Sequence, residues 1–305
     1  MRRLASALIV AVVGVIAAFA VADAVRGDRS HDRAAASPGT VELRTSDART
    51  TFGGTLLWTD ARCGFHATSL PSLQDLEPPR YISCKFTLER DGHLAPPGGT
   101  WRAEGNLLAR CRHDRIDVSL NLGGPPLYET QGCAPAWRPD GTLTYVFRGE
   151  LRRSSRLWDR RVLLDRAQLS AAIHWPSRLE RVAWLDNSTF VALVKTRDRR
   201  YLATFHDGRP VRPAIRLTAP VQDLAASPHG NYIAARVDGG LVVLRRDGSA
   251  LALPFLNALA IAWSPDERWA IVSGRRSAYL FRPGDQELRV RRLPIAATQL
   301  AWVQS

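Results

Sequence analysis

The sequence predicts an all-β protein folded as a six-bladed β-propeller, closed by pairing of its C-terminal strand with its N-terminal strands. Three observations predict this fold. A turn motif repeats along the chain, short apolar runs and Asp-Gly turns alternate between its copies, and incomplete repeats stand at both ends. One N-terminal transmembrane or signal helix is expected before the propeller. The predicted parts are a signal anchor or signal peptide (1–22), a flexible linker (23–50) and the propeller domain (51–305).

The repeated motif is Trp-x-Pro-Asp-Gly, with several degenerate copies. The copies begin at Leu88, Trp137, Trp184, Ala226 and Trp263, and Trp302 opens a last copy that the chain end cuts short. The intervals of 49, 47, 42, 37 and 39 residues suit a four-stranded propeller blade of about 40–45 residues. Proline presets the turn, aspartate bonds nearby backbone, and glycine accepts the positive φ that ends it. A β-sandwich with coincidental turns is the alternative.

The segments between copies have the pattern of β-hairpins. Residues 232–237 and 241–244 are β-suited runs separated by Asp238-Gly239-Gly240, and the next unit repeats this scheme. Short apolar runs joined by Asp-Gly or Gly-Gly predict antiparallel pairs. At the chain ends, 299–303 is a lone strand, while 55–70 offers strands with no preceding turn motif. We expect these two remainders to share one blade with the last strand innermost, which leaves no open sheet edge.

The N-terminus indicates export from the cytoplasm. Arg2 and Arg3 precede nineteen uncharged residues, Leu4 to Ala22, and Asp23 follows this run. Basic residues before an apolar span hold that end inside, so the remainder is expected on the other side of the membrane. The span is close to the roughly 20 residues that cross a bilayer, which favours a single-pass anchor in the cell membrane. Cleavage after Ala20-Val21-Ala22 is the alternative, and it would release a secreted protein.

The polar linker precedes a strongly basic domain. The chain carries 42 Lys+Arg against 29 Asp+Glu, a formal charge of +13. A nucleic-acid surface would concentrate this charge with interleaved aromatics, but the arginines are spread along the chain, so no nucleic-acid partner is expected. The densest cluster is either a solvated face or a patch for an anionic partner; it contains Arg152, Arg153, Arg156, Arg160 and Arg161.

The four cysteines follow the repeat. Cys84 and Cys133 each stand seven residues before the aspartate of a motif, and Cys63 and Cys111 precede them by 21 and 22 residues. Repeat symmetry favours the disulfides Cys63–Cys84 and Cys111–Cys133, each tying one unit to the innermost strand of the next. Free buried thiols are one alternative. A metal site is another, with these ligands: Cys63, His66, Cys111 and His113.

Three of the copies resemble the propeller repeat of the TolB-type family. They are Ile261-Ala262-Trp263-Ser264-Pro265-Asp266, Ala136-Trp137-Arg138-Pro139-Asp140-Gly141 and Leu224-Ala225-Ala226-Ser227-Pro228-His229-Gly230. The resemblance covers about Thr55 to Val303, and the unit beginning at Leu88 departs most from it. It implies an extracytoplasmic scaffold that binds other proteins and is mostly non-enzymatic, although related propellers gate peptidases or act as lyases.

The sequence contains no Gly-x-Ser-x-Gly elbow, phosphate-binding loop or His-Glu-x-x-His helix, so no catalytic residue, metal or cofactor is predicted. His174-Trp175-Pro176 is interpreted as an inter-strand loop rather than a binding edge. His229 is interpreted as repeat drift at an aspartate position. Four tryptophans are interpreted as core residues rather than a sugar-stacking set: Trp58, Trp184, Trp263 and Trp302.

The leading functional hypothesis is a monomeric, membrane-tethered scaffold that binds protein partners in the cell envelope. The alternative is a ligand-binding or enzymatic propeller with its site at the mouth of the central channel. Residues from several blades would converge there without any local motif. An envelope spacer without a binding role is a third hypothesis.

Overall fold

The computed structural model describes residues 52–102, 105–121, 123–154, 160–217, 219–238, 240–247, 250–253, 258–284 and 290–304. Across these residues the chain forms 28 β-strands and one α-helix. The strands make six antiparallel sheets of four or five strands and one two-stranded hairpin.

The strands follow one another along the chain sheet by sheet. Sheet I contains β1 (Gly54–Thr59), β2 (Gly64–Leu70), β3 (Gln74–Asp75), β4 (Arg80–Tyr81) and β28 (Gln299–Val303). The hairpin contains β5 (Thr87–Leu88) and β6 (Leu94–Ala95). Sheet II contains β7 (Gly99–Trp101), β8 (Leu108–Arg112), β9 (Arg115–Ser119) and β10 (Tyr128–Gln131). Sheet III contains β11 (Cys133–Trp137), β12 (Leu143–Phe147), β13 (Glu150–Ser154) and β14 (Arg160–Leu164).

The helix α1 (Arg166–Ile173) connects sheet III to sheet IV. Sheet IV contains β15 (Arg178–Trp184), β16 (Thr189–Lys195), β17 (Arg200–His206), β18 (Arg209–Pro210) and β19 (Ile215–Leu217). Sheet V contains β20 (Val221–Ala226), β21 (Tyr232–Val237), β22 (Gly240–Arg245) and β23 (Ala250–Leu253). Sheet VI contains β24 (Ala260–Trp263), β25 (Ala270–Ser273), β26 (Ala278–Phe281) and β27 (Val290–Leu293).

The six sheets surround one central cavity. Each sheet presents one edge strand to this cavity, and these strands are β7, β11, β15, β20, β24 and β28. The later strands of each sheet follow outward in sequence order. Sheets repeated radially about a central channel form a β-propeller. The predicted all-β propeller architecture is therefore confirmed.

The last strand of the chain pairs with the first, as predicted. Strand β28 lies antiparallel to β1, with Thr55 opposite Val303 and Thr59 opposite Gln299. The indole N–H of Trp302 also donates to the carbonyl of Gly53 at 3.0 Å. The early strands and the late strand therefore share sheet I, and β28 is its innermost strand.

Because neighbouring strands are antiparallel, successive turns of each sheet lie on opposite faces of the ring. We call one the tryptophan-turn face, because it carries the turns from each innermost strand to the second strand. The other is the disulfide face, which carries the starts of the innermost strands and the turns between second and third strands. Strand β1 begins at the tryptophan-turn face, since Gly54 lies at the Val303 end of its pairing with β28.

The repeated motif forms the turns that its residues predict. In sheet VI, Ser264 N donates to the Trp269 carbonyl and Glu267 N donates to the Ser264 carbonyl, both at 2.9 Å. The residue in the glycine position has positive φ, 77° at Gly141 and 57° at Glu267. At Gly230 a Cβ would collide with the Leu185 carbonyl, so glycine is required there for sheet IV to approach sheet V.

The structure corrects the first predicted unit. The motif at Leu88 turns the isolated hairpin, in which Gly92 N donates to the Glu89 carbonyl at 3.0 Å. Sheet II begins later, at β7, and Trp101 ends its innermost strand. The sequence signal was Trp101-Arg102-Ala103-Glu104-Gly105, which matches the copy that begins at Trp137 in four features: Trp, Arg, an acid and Gly.

The predicted N-terminal segments, 1–22 and 23–50, lie outside the described residues. Within the part of the chain that the structure describes, no helix combines the length and apolar composition needed to cross a membrane.

Candidate functional site

The central cavity has a volume of about 1000 Å³. Its wall consists of the inner strands, which contribute backbone together with small and aromatic residues such as Ala225, Ala262 and Trp263. Charged side chains reach this wall mainly at its two ends. Groups that could bind or react with a ligand are therefore found at the tryptophan-turn end and the disulfide end of the channel.

At the tryptophan-turn end, polar groups link neighbouring sheets. Asp140 N donates to Asn187 Oδ1 at 2.8 Å, and the Arg138 guanidinium donates to the Asn187 carbonyl. Further along the ring, Asn231 Nδ2 donates to Glu267 Oε2 at 2.6 Å, and His229 N donates to the same carboxylate. These contacts fix the mutual positions of sheets III and IV, and of sheets V and VI.

A second pair fixes sheet IV to sheet V at the same face. The Asp186 carboxylate accepts hydrogen bonds from the backbone N–H groups of Ser188 and Thr189 and pairs with Arg246. Burial by itself would raise the pKa of Asp186, but these donors and the guanidinium outweigh it and lower the pKa. Asp186, which stands at the proline position of its motif copy, is therefore ionised, with a structural role.

The hairpin extends from the start of β28 to the tryptophan-turn mouth, where its tip lies. Gln299 holds β5 against β28, since its amide accepts from Leu88 N at 2.5 Å and donates to the Phe86 carbonyl at 2.8 Å. From the hairpin tip, Arg90 Nη1 reaches the Ser227 carbonyl of sheet V at 3.3 Å. The mouth is thus crossed by a side chain that joins the hairpin to sheet V.

Glu89 is the titratable group that the cavity perturbs most. Its carboxylate accepts a hydrogen bond from Trp101 N at 2.8 Å. Burial raises the pKa of Glu89 to about 7, against the smaller opposing effects of Trp101 N, Thr100 and Arg90, while nearby Asp91 adds to the rise. Glu89 was absent from the sequence-predicted site residues. Its only signal was that Glu89-Arg90 replaces Ser-Pro in the turn motif.

The predicted disulfides are present. Cys63 is bonded to Cys84 and Cys111 to Cys133, with Cα–Cα distances of 5.3 and 5.2 Å. The second bond ties sheet II to the innermost strand of sheet III, as predicted. The first is different in one respect, because Cys84 lies outside any strand, between β4 and the hairpin. The alternatives of free thiols and a metal site formed by these cysteines are wrong.

The predicted arginine cluster lies on the outer strands of sheet III. Arg152 and Arg153 belong to β13, Arg160 and Arg161 to β14, and Arg156 lies outside the described residues. Arg153 stands directly opposite Arg161 in the strand register. Arg152 pairs with Glu150 at 2.9 Å and covers the Phe147 ring. The cluster therefore faces away from the channel, and its role as an anionic-partner patch stays a prediction.

The remaining residues singled out in the sequence lie in the core, in ring stacking, at a helix end or in a contact between sheets. Three of the four tryptophans (Trp184, Trp263 and Trp302) are at least 90% buried, which confirms the core interpretation for them, and Trp58 stacks on His66 with ring centroids 3.8 Å apart. His174 is the left-handed C-cap of α1, and the next residue, Trp175, is 61% exposed. Backbone N–H of His229 contributes to the inter-sheet contact described above.

Comparisons with family models and with curated proteins give no match to this sequence. Among solved structures, the chain is similar to the Cps50 (Swd1) β-propeller domain of Myceliophteria thermophila, with 12% identity and a TM-score of 0.48 over 83% of this chain and 90% of that one. It is also similar to the dihydro-heme d1 dehydrogenase NirN in complex with DHE, with 15% identity and a TM-score of 0.45. That match covers 79% of this chain and 54% of NirN.

Proposed function

We propose that the protein is a membrane-tethered, extracytoplasmic β-propeller that acts as a non-catalytic, protein-binding scaffold in the cell envelope. The observation that carries this proposal is the hairpin in the channel mouth. Its two central charged side chains bond to the protein itself, Glu89 to Trp101 N and Arg90 to the Ser227 carbonyl. The outer faces of the ring are then the surfaces available to a partner.

The finer architecture belongs to the same proposal. We assign the six sheets as six blades of one ring, with the hairpin as a reduced element between sheets I and II. The resemblance of three turns to the TolB-type repeat supports a scaffold in the envelope. The basic N-terminus and apolar segment support tethering, and we propose that the domain is a monomer.

In-cell crosslinking of the full chain tests this function. Photoreactive residues placed on each face should give discrete crosslinked products with envelope proteins, identified by mass spectrometry. A variant without residues 1–22 is the control and should lose these products, because it stays in the cytoplasm. If the full chain yields no envelope partner while the purified protein turns over a substrate, the scaffold function is wrong.

Fractionation of the same cells tests the tether. A retained anchor leaves the full-length chain in the membrane fraction after a carbonate wash. An N-terminus that begins after Ala22 in the soluble fraction would instead establish a cleaved signal peptide.

A ligand-binding or enzymatic channel is the second candidate. Glu89 favours it, because a carboxyl with a pKa of about 7 beside a large cavity suits proton exchange near neutral pH. A screen of small-molecule binding by thermal shift would test it with Glu89→Gln. Exposed Glu77→Gln is the matched control, and a ligand shift lost only in the first variant would support this candidate.

A further inference from the structure

The two faces of the ring differ in charge. On the disulfide face, the six turns between second and third strands carry six arginines and four aspartates. On the tryptophan-turn face, the described residues of the five turns from inner to second strands include three arginines and four acidic residues. These turns therefore carry a net charge of +2 on the disulfide face and −1 on the tryptophan-turn face.

The disulfide face contains a cleft where sheet III meets sheet IV. The cleft has a volume of about 430 Å³, and cationic side chains line it together with Gly149, Leu179, Glu180, Leu193 and Val221. Leu179 N donates to the Gly149 carbonyl at 3.1 Å, which closes the floor between the sheets. Gly149 has φ of 80°, and a Cβ there would approach Arg178 Cβ to 2.9 Å. A rigid backbone contact thus shapes the cleft.

Three arginines line the cleft, and their guanidinium groups differ in whether an acidic side chain pairs with them. Arg200 Nε pairs with Glu180 at 2.8 Å, so this cation is already neutralised. Arg181 pairs with Asp223 at 3.7 Å, and both side chains are half exposed. Such a pair contributes about 0–1 kcal/mol and is easily exchanged. Arg178 is exposed, and its side chain has no ion-pair or hydrogen-bond partner within the described residues.

An exposed aromatic side chain adjoins this strand. Trp175 is 61% exposed and lies three residues before Arg178, in the connection from α1 to β15. Tryptophan and arginine are the residue types that contribute most at protein–protein interfaces. Guanidinium groups also match carboxylates with paired hydrogen bonds.

We propose that this cleft, lined by Arg178, Arg181 and Arg200 and adjoined in the chain by the exposed Trp175, binds an acidic segment of a protein partner. The inference rests on the proposed scaffold function and names the chemistry of its partner. Arg178 and Arg181 receive carboxylates of the segment, and Trp175 covers an apolar or aliphatic part of it. A concave site of this size fits protruding side chains, which favours a protein segment over the flat surface of an anionic membrane.

Fluorescence anisotropy of the full chain with a fluorescein-labelled peptide of ten glutamates tests the cleft. We expect Arg178→Glu with Arg181→Glu to weaken binding about tenfold or more, because attraction becomes repulsion. The matched control is Arg80→Glu with Arg268→Glu, which changes net charge equally at side chains 74% and 75% exposed. This control should weaken binding less than about twofold.

Milder variants keep the test independent of folding. Arg178→Gln with Arg181→Gln should weaken binding severalfold with an unchanged melting temperature, and so should Trp175→Ala. Equal loss in the cleft and control variants would overturn the proposal, as would absence of binding to the wild-type chain. Equal displacement of the peptide by phosphatidylglycerol vesicles and by unlabelled peptide at matched charge would also overturn it.

The crosslinking experiment separates the two proposals. If the charge-reversed cleft variant keeps every envelope crosslink of the wild type, the cleft is not the partner site, although the scaffold function stands. If the wild type gives no envelope crosslink but binds the peptide through the cleft, the scaffold function fails while the anion chemistry of the cleft stands.

Discussion

Two regions of the ring are held together by different means. The disulfide-linked region, residues 52–137, contains both disulfides and four strands of only two residues, β3 to β6. The cysteine-free region, residues 178–293, contains long buried strands such as β16, in which six of seven residues are buried. Where strands are too short to bury much apolar surface, covalent links replace packing.

The aromatic packing shows the same contrast. In sheet IV, Phe190 stacks on Phe205 at 5.4 Å and contacts Trp184 at 4.7 Å. In the disulfide-linked region β3 and β4 are wholly exposed. The comparison teaches that one repeat motif sets the turns of both regions, while the strands between the turns decide how each region is stabilised.

The largest expected effect is in the cysteine-free region. Phe205→Ala removes a side chain with no exposed surface and should lower the free energy of unfolding by about 3–5 kcal/mol. Urea denaturation measures this change. Leu76→Ala, at a side chain 54% exposed, is the control and should change it by less than about 0.5 kcal/mol. A loss below about 1 kcal/mol at Phe205 would contradict the packing account.

Removal of one disulfide is the corresponding test of the other region. Cys111→Ala with Cys133→Ala should cost about 3 kcal/mol, because the bond closes a loop with a separation of 22 residues. Hydrogen exchange should quicken in β8 and β11 and stay unchanged in β16. Cys63→Ala with Cys84→Ala is the matched comparison. Equal quickening in β16 would show that the two regions are not independent.

The Glu89 carboxyl gives the disulfide-linked region a pH dependence. Its pKa is raised from 4.5 to about 7 in the folded chain. The folded state therefore binds the proton more tightly, and stability falls as pH rises from about 4.5 through about 7. Glu89→Gln should be more stable than wild type by about 3 kcal/mol at pH 8, with no difference below pH 4.5.

Denaturation at a series of pH values measures that difference. Glu77→Gln, at an exposed ion pair with Arg80, is the control and should give a flat difference across the range. A Glu89→Gln variant less stable than wild type at pH 8 would mean that the carboxylate bond to Trp101 N outweighs burial.

The smallest effect concerns an unpaired donor in the cysteine-free region. Trp184 Nε1 donates to Thr144 Oγ1 at 2.9 Å, whereas Trp263 Nε1 is buried without an acceptor among the described residues. Ala234 occupies the register position of Thr144. Ala234→Thr should therefore be more stable than the isosteric Ala234→Val by about 1 kcal/mol. Equal thermal stability of the two variants would contradict this register match.

The sequence predicted the features that local chemistry controls. The turns that follow Trp137 and Trp263 were found because proline, aspartate and glycine act within one turn. The cysteine pairing was predicted because the two pairs hold equivalent places in consecutive repeats. Closure by residues 299–303 was predicted because these residues form a lone strand, whereas residues 55–70 form strands with no turn motif before them.

Other features depend on tertiary neighbours and could not be predicted in the same way. The Leu88 motif forms the same turn in a hairpin with two-residue strands as it would in a blade. It therefore predicted the wrong start for sheet II. Glu89 acquires its raised pKa from burial in the folded chain, which the residues next to it in the sequence do not predict. The cleft arginines are not dense in the sequence, as Arg152 and Arg153 are, and only the fold brings Arg200 beside Arg178 and Arg181.

The shared sheet I has a consequence for biosynthesis. Trp302 and Gly53 are 249 positions apart, so β28, the inner partner of β1, leaves the ribosome after the other described strands. Until then the hydrogen-bonding edge of β1 is open, and an open edge pairs readily with foreign strands. The early strands of a nascent chain therefore need shielding, by a chaperone or by rapid folding of the intervening sheets, until β28 is available to pair.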